Sequence, residues 1–325
     1  MDRTDGMDGM SEKRKDRSPA LRVATFNIRN GIACDGLDSW PFRRRATADA
    51  VARLDADLVG LQEVYGFQQR YLLRRLPGYA ATGAGRNDGR RRGERCTVLY
   101  RRARLALDGS TTRWFSDSPD QPGSTGWGNR LPRIVTLALF TDLASGRRFV
   151  FADCHLEGRP SAARHRSAAA LAAWLDPALP AIVAGDLNAE PDDQAVRTLL
   201  AAGLRDVFAP GPPAPGLPDP GPSTPGRKPY QWADSKGESL PSLEGGSGAR
   251  TRPETQALPQ PPDATLETPP TTTGGFRGDG PRRRIDYLLV TRQWQVGEAA
   301  VAAQRRHRRL SSDHWPVVAT LRLLD

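Results

Sequence analysis

The residues from Leu21 onward predict an α/β domain of mixed, strongly twisted sheets covered by helices. Three observations carry that reading. Short apolar runs of strand length recur along the chain and end in polar residues. Segments of helical length lie between several of them. Arg133–Thr141 is followed across Ala144-Ser145-Gly146 by Phe149–His155, a hairpin signal, so hairpins and strand–helix crossovers coexist.

In chain order, strands are expected at Leu21–Ile28, Asp57–Val64, Thr97–Arg101, Arg133–Thr141, Phe149–His155, Ala181–Asp186, Arg284–Val290 and Pro316–Leu323. Each is rich in β-branched and large apolar residues and is bounded by polar residues, Gly or Pro. Helices are expected at Phe42–Leu54 with Pro41 in its first turn, at Ser161–Leu175, and at Asp192–Ala202, where Gly203 stops the run. The chain shows no internal repeat.

Two segments break this pattern. Residues 1–20 are polar and charged with no apolar stretch, and are expected to form a disordered leader rather than a secretory signal. Residues 209–270 hold 16 of the 28 prolines and read as a disordered insertion in a loop. Tyr230, Gln231 and Trp232 are its only hint of a contact. The remainder, 21–325 without the insertion, has the size of one large domain.

The chain has 325 residues, and its 38% hydrophobic content is enough for a globular core. No apolar run reaches the length of a transmembrane helix. Three cysteines, Cys34, Cys96 and Cys154, are too few for a disulfide scaffold. Cys96 and Cys154 fall in apolar runs and are expected to be buried thiols. A cytoplasmic monomer is the expectation. The net charge of +10 suits a phosphate-bearing partner, but only four of the 47 basic residues are lysine, which points equally to compositional bias.

Polar residues cluster where strands end. Asn27 and Glu63 lie near the ends of the first two strands, His155 ends the hairpin's return strand, and Asp186 and Asn188 close AIVAGDLN. Asp286 opens IDYLLV, and Asp313 and His314 precede the last strand. Strand ends on one edge of a sheet converge, so these residues are expected to share a pocket. The pocket would hold oxygen ligands for a hard cation and two imidazoles that move protons near neutral pH.

The order and spacing of TFNIR, GLQEV, GERCTVLYRR, FADCHLEG, GDLNAEP, RRRIDYLLV and SSDHWPV resemble the endonuclease/exonuclease/phosphatase superfamily. The resemblance runs from Leu21 to the C-terminus, interrupted by the proline-rich insertion. It implies a four-layer α-β-β-α sandwich of two mixed twisted sheets. It also implies Mg²⁺, with Mn²⁺ as a substitute, and hydrolysis of a phosphate ester by direct attack of water. By position, Glu63 matches the principal metal ligand, helped by Asn27 and Asp313. Asp186 and Asn188 match the pair that orients or activates the water and holds the phosphate. His314 matches the histidine beside the scissile phosphate, with Asp286 fixing its tautomer. His155 matches a second histidine, with Glu94 as its carboxylate partner, and this pair would protonate the leaving oxygen. Arg29 stands two residues after Asn27, where the apurinic endonucleases carry an acid, which argues against a second fully acidic metal site.

Arginine clusters Arg90–Arg92, Arg282–Arg284 and Arg305–Arg309 lie near these motifs in sequence. Arg284 and Arg306 are the expected substrate contacts among them. Such a rim favours an anionic partner, a nucleic acid first, and otherwise a small phosphorylated metabolite, an inositol phosphate or a phospholipid head group. A catalytically silent binding module would be marked by loss of Glu63, His155, Asp186 or His314, and all four are present.

Overall fold

The computed structural model describes residues 19–209, 230, 271–278, 280, 282–302, 305–306 and 309–324. Most of the expected leader and insertion therefore lies outside the described residues. Tyr230, inside the insertion, is described. Its N–H donates to the Trp174 carbonyl (3.3 Å), and the Arg113 guanidinium lies 5.5 Å from its ring centroid.

In chain order the elements are β1 (Leu21–Asn27), α1 (Trp40–Leu54), β2 (Leu58–Val64), α2 (Gly66–Arg75), β3 (Tyr79–Thr82), β4 (Arg95–Arg101), β5 (Leu105–Trp114), β6 (Ile134–Asp142), β7 (Arg148–His155), α3 (Ser161–Trp174), β8 (Ala181–Asp186), α4 (Gln194–Ala201), β9 (Arg205–Asp206), β10 (Asp286–Val290), β11 (Trp294–Val301), β12 (Arg305–Arg306), β13 (Arg309–Leu310) and β14 (Val317–Leu323). They build two six-stranded sheets, ordered β11-β14-β1-β2-β4-β3 and β5-β6-β7-β8-β10-β9. Each sheet has one parallel pair at its centre, β1 with β2 and β7 with β8, and α1 and α3 are the crossovers that parallel pairing requires.

Three apolar clusters set the layers. One fills the space between the sheets, with Val23, Leu58 and Val98 facing Phe140, Phe149, Phe151 and Ile182. Another packs α1 and α2 on the outer face of the first sheet through Val51, Leu54 and Leu72. The third packs α3 and α4 on the second sheet through Ala168, Leu171, Val196 and Leu199. The order helix–sheet–sheet–helix is the four-layer sandwich. Each fully buried large side chain in it contributes about 1.5–3 kcal/mol of transfer free energy, and the sheets' strand ends are held to one register by these contacts.

Helix ends follow local chemistry. Pro41 sits in the first turn of α1, and Asp55 ends it in the left-handed conformation (φ 47°). The Asp193 side chain caps α4 by accepting from Ala195 N–H. Cys96 and Cys154 are buried and Cys34 is exposed.

Candidate active site

Strand register lines up the polar residues. His155 on β7 is opposite Asp186 on β8, and Asp186 is opposite Asp286 on β10, so three side chains form one row across the second sheet. On the first sheet, Asn27 at the end of β1 is opposite Gln62 on β2, next to Glu63. Asn27 joins the two sheets: its Nδ2 donates to Glu63 Oε1 and to Asp186 Oδ2, both at 3.0 Å. The Asn27 oxygen is already taken by the Arg29 N–H (2.9 Å). In this arrangement Asn27 turns its N–H groups to the two carboxylates and orients them.

Glu63 sits in a bulge, where the β2–β4 register shifts between Leu61 and Val64, with φ 63°. Arg29 (φ 60°) and Asn188 (φ 50°) are also left-handed. Asn tolerates this region, whereas Glu and Arg are strained in it, and such strain persists only where surroundings over-determine it. They do here. Glu63 Oε2 accepts from Asn30 N–H at 2.7 Å. The Arg29 carbonyl accepts from Arg43 Nη2 (2.8 Å) and Gln68 Nε2 (3.0 Å).

The 311–314 loop is drawn to the end of β1 by α1. Arg43 donates to the carbonyls of Ile28 and Ser311, Thr47 Oγ1 donates to Ser311 O (2.8 Å), and Ser312 Oγ donates to Asn27 O (2.7 Å). Burial pushes the Arg43 guanidinium down to about 10. On the other side, Thr272 Oγ1 accepts from the N–H groups of Ile285 and Asp286, and its carbonyl accepts from Trp315 N–H (2.7 Å). These contacts bring His314 against Asp286: His314 Nδ1 lies 2.9 and 3.1 Å from its two oxygens. The Nε2 of His314 then lies 3.8 Å from Asp186 Oδ2.

The electrostatics follow from this geometry. Burial and the Asp286 charge push the Asp186 carboxyl up to about 7, against the pull of His314 and of the Asn27 hydrogen bond. Burial works to lower the His314 pKa, but the charge and hydrogen bond of Asp286, with Asp186 and Asp313, push it up to about 10. His155 goes the other way. Burial, then the charges of Arg133, Arg86 and His314, hold it well below the usual imidazole range. Its Nε2 is 3.2 Å from Asn188 Nδ2, which also donates to Leu156 O at 3.1 Å. The Asn188 amide thus points its N–H₂ at the ring, so Nε2 of the neutral imidazole accepts and the proton sits on Nδ1.

Glu94 is not the partner of His155. It accepts from Asn30 Nδ2 (2.8 Å) and from Arg86 Nη1. Arg86 lies on the loop that pairs with the start of β4, so it reaches Glu94 first and satisfies the charge. Arg284 is also displaced from its expected role. Its guanidinium turns to Asp206 on β9 and packs on Phe208 and Tyr287, leaving 9% of the side chain exposed. It braces β10 and does not rim the site. Arg306 lies on β12, and its side chain is outside the described residues. Arg90, Arg91 and Arg92 are exposed on a tight loop, their N–H groups all held by Asp88 Oδ1 at 2.9 Å.

Five side chains at the site have the chemistry of metal ligands, and three of them form a close cluster. Glu63 and Asp313 offer carboxylate oxygen, the chemistry of a hard cation, and both flank Arg29, whose Nη1 lies 3.7 Å from Asp313 Oδ2. Asp186, Asp286 and His314 place ligand atoms within 4.8 Å of one another. Beside them lies a cleft of about 230 Å³ lined by Arg29, Asn30, Glu63, Arg86, Glu94 and Arg133 together with His155. Arg86, Arg133 and Asn30 escaped the sequence reading. Their one signal was sequence proximity to Glu94, to β6 and to Asn27.

The Endonuclease/Exonuclease/phosphatase family profile matches residues 24–314, and the chain belongs to that family. Solved structures agree in fold. A family protein from Bacteroides vulgatus is 26% identical with a TM-score of 0.71, covering 94% of this chain and 99% of that one. A family protein from Bacteroides thetaiotaomicron is 25% identical with a TM-score of 0.70, covering 94% and 98%. A mannosyl-6-phosphatase from the same organism is 25% identical with a TM-score of 0.68, covering 93% and 99%. No curated protein matches the chain in sequence. Among the described residues no helix is long and apolar enough to cross a membrane.

Proposed function

We propose that the chain is a metal-dependent phosphoesterase that hydrolyses a small phosphate ester by direct attack of water. The observation that carries this reading is the continuous link from Asp286 through His314 and Asp186 to Asn27 and Glu63. It supports a reading in which an acid–base pair and a hard-cation carboxylate share one network. Glu63 and Asp313 would hold the divalent ion, which when bound supplies positive charge to the phosphate oxygens.

The chain's own residues divide the remaining work. Asp186, with its pKa near neutrality, accepts the proton of the attacking water at Oδ2, and the leaving oxygen takes its proton from solvent water. His314, held protonated by Asp286, donates a charged hydrogen bond to the phosphate as negative charge develops. His155, neutral and protonated at Nδ1, offers a hydrogen bond rather than a transferable proton. Asn188 holds that ring in place.

The similarity to a mannosyl-6-phosphatase supports a small phosphorylated metabolite as substrate. Nuclease activity is the second reading, favoured by the exposed Arg90–Arg92 loop beside the cleft. The inward turn of Arg284 removes part of the expected polyanion rim. The test is a panel of sugar phosphates, inositol phosphates, bis(p-nitrophenyl) phosphate, plasmid DNA and RNA, each with Mg²⁺ and with EDTA. Mg²⁺-dependent release of phosphate from a sugar phosphate is expected. Hydrolysis of DNA or RNA alone would favour the second reading, and no turnover on any member would refute both.

A further inference from the structure

Two arginines that the proposed chemistry does not use stand in the wall of the cleft beside His155. Arg86 and Arg133 keep only 10% and 12% of their side chains exposed. Each is fixed along one edge by a carboxylate. Arg86 Nη1 donates to Glu94, and Arg133 donates to Glu157 through Nε (3.4 Å) and Nη2 (3.2 Å). A guanidinium has five N–H donors in a rigid fork, so these contacts leave part of each fork uncommitted. Arg86 Nε has no hydrogen-bond partner, and neither Arg86 Nη2 nor Arg133 Nη1 has one among the described residues.

Burying a guanidinium with idle donors is costly unless something completes it. Burial pushes the Glu94 carboxyl up, against the pull of Arg86. Both arginines, with Arg29 on the facing loop, line the same cleft, and its volume of about 230 Å³ is below the ~300–1,000 Å³ of pockets that take a drug-sized ligand. It has room for a compact anionic group.

We infer that this cleft is a subsite for a second phosphate of the substrate, carried a few bonds from the ester that is cleaved, and that Arg86 and Arg133 select compact bisphosphorylated substrates. The inference rests on the phosphoesterase reading and narrows its substrate class. Arginine forks suit a phosphate because its oxygens accept two parallel N–H bonds.

The test uses the full chain and two paired variants, Arg133→Gln with Glu157→Gln, and Arg86→Gln with Glu94→Gln. Changing both partners avoids leaving a buried carboxylate alone, and circular dichroism with thermal melting identifies which pair folds. Inorganic phosphate is first titrated calorimetrically into the protein in EDTA. The wild type is expected to bind it, and a folded paired variant to bind it at least tenfold more weakly. Then kcat/KM is measured with Mg²⁺ on fructose 1,6-bisphosphate and fructose 6-phosphate. The wild type is expected to prefer the bisphosphate by tenfold or more, and the variant to lose that preference. Equal phosphate affinity in wild type and variant, no bisphosphate preference in the wild type, or a preference that survives in the variant would overturn the subsite. If neither sugar phosphate is hydrolysed but another member of the panel is, the bisphosphate comparison fails while the phosphoesterase reading stands, and the EDTA titration still decides whether the arginines hold phosphate.

Discussion

His155 and His314 both bring Nε2 to just under 4 Å from the same Asp186 oxygen, at 3.7 and 3.8 Å, yet their pKa values move in opposite directions. His314 faces Asp286 across its Nδ1 and is held protonated. His155 faces Arg86 and Arg133 and is held neutral. Both rings are about nine-tenths buried, so burial does not separate them. The charges set around each ring do: Asp286 against His314, and Arg133 and Arg86 around His155. One carboxylate with two such imidazoles gives a site in which only one histidine is a charged donor, and the other is a neutral hydrogen-bonding group.

Replacing His314 tests the charged half and has the largest expected effect. His314→Gln should lower kcat by about 10²–10³-fold, alike for alkyl and p-nitrophenyl phosphate esters, because both need the same charge stabilised on the phosphate. A loss confined to alkyl esters would move the leaving-group role to His314 and break the contrast. Glu63→Gln probes what the two halves share. It should raise the Mg²⁺ concentration needed for half-maximal activity by roughly 10–100-fold, the range for disturbed ligand shells, with the far-UV spectrum unchanged. An unaltered metal dependence would remove Glu63 from the site. His155→Gln probes the neutral half and should cost about tenfold, the worth of one hydrogen bond, again equally on both leaving groups. A selective loss on alkyl esters would restore an acid role for His155.

The smallest expected effect is on stability, two residues earlier on the same strand. Asp153 is fully buried between the sheets. It accepts from Gln62 Nε2 at 2.6 Å, its Oδ2 has no partner, and burial drives its pKa far up. A carboxyl whose folded pKa is raised favours the native state only while protonated, so wild-type stability declines as pH rises above the unfolded value of about 4. Asp153→Asn escapes this decline and can donate to the unpartnered Gln62 Oε1. Its melting temperature should exceed wild type by about 3 °C, for about 1 kcal/mol, with a larger gain at pH 7.5 than at pH 5. A gain that shrinks with pH would mean that Asp153 is ionised in the core.

Legibility in the sequence followed position in the sheets. The strands that were read, β1, β2, β4, β6, β7, β8, β10 and β14, are the interior ones. Covered on both faces, they carry unbroken apolar runs. The strands that were missed, β3, β5, β9 and β11, form the sheet edges, and the short β12–β13 ribbon was missed with them. β5 and β11 are half-exposed and interrupted by register shifts at Leu107/Gly109 and Val296/Ala299, so neither keeps a clean alternation. Helix α2, which starts at Gly66 directly behind Glu63, was also missed. Gly66 is a weak start, and the helix is set by Gln68, whose Oε1 accepts from Tyr65 N–H at 2.9 Å. At the site, His155, Asp186, Asp286 and His314 were legible because each is a polar residue at a strand end. The pairings were less so. Asn27 turning its amide, Glu94 bonding Arg86, and Arg284 bonding Asp206 all depend on which neighbour arrives from another element, and spacing along the chain does not encode that.

The most direct test is the protonation of the two imidazoles themselves. Long-range ¹H–¹⁵N correlation spectra of the metal-free protein at pH 7, with the chain's four histidines assigned by His→Gln variants, report the state of each ring nitrogen. The structure predicts His314 protonated at both nitrogens, and His155 neutral with its proton on Nδ1. A His155 that is charged or carries its proton on Nε2, or a His314 that is neutral, would contradict it.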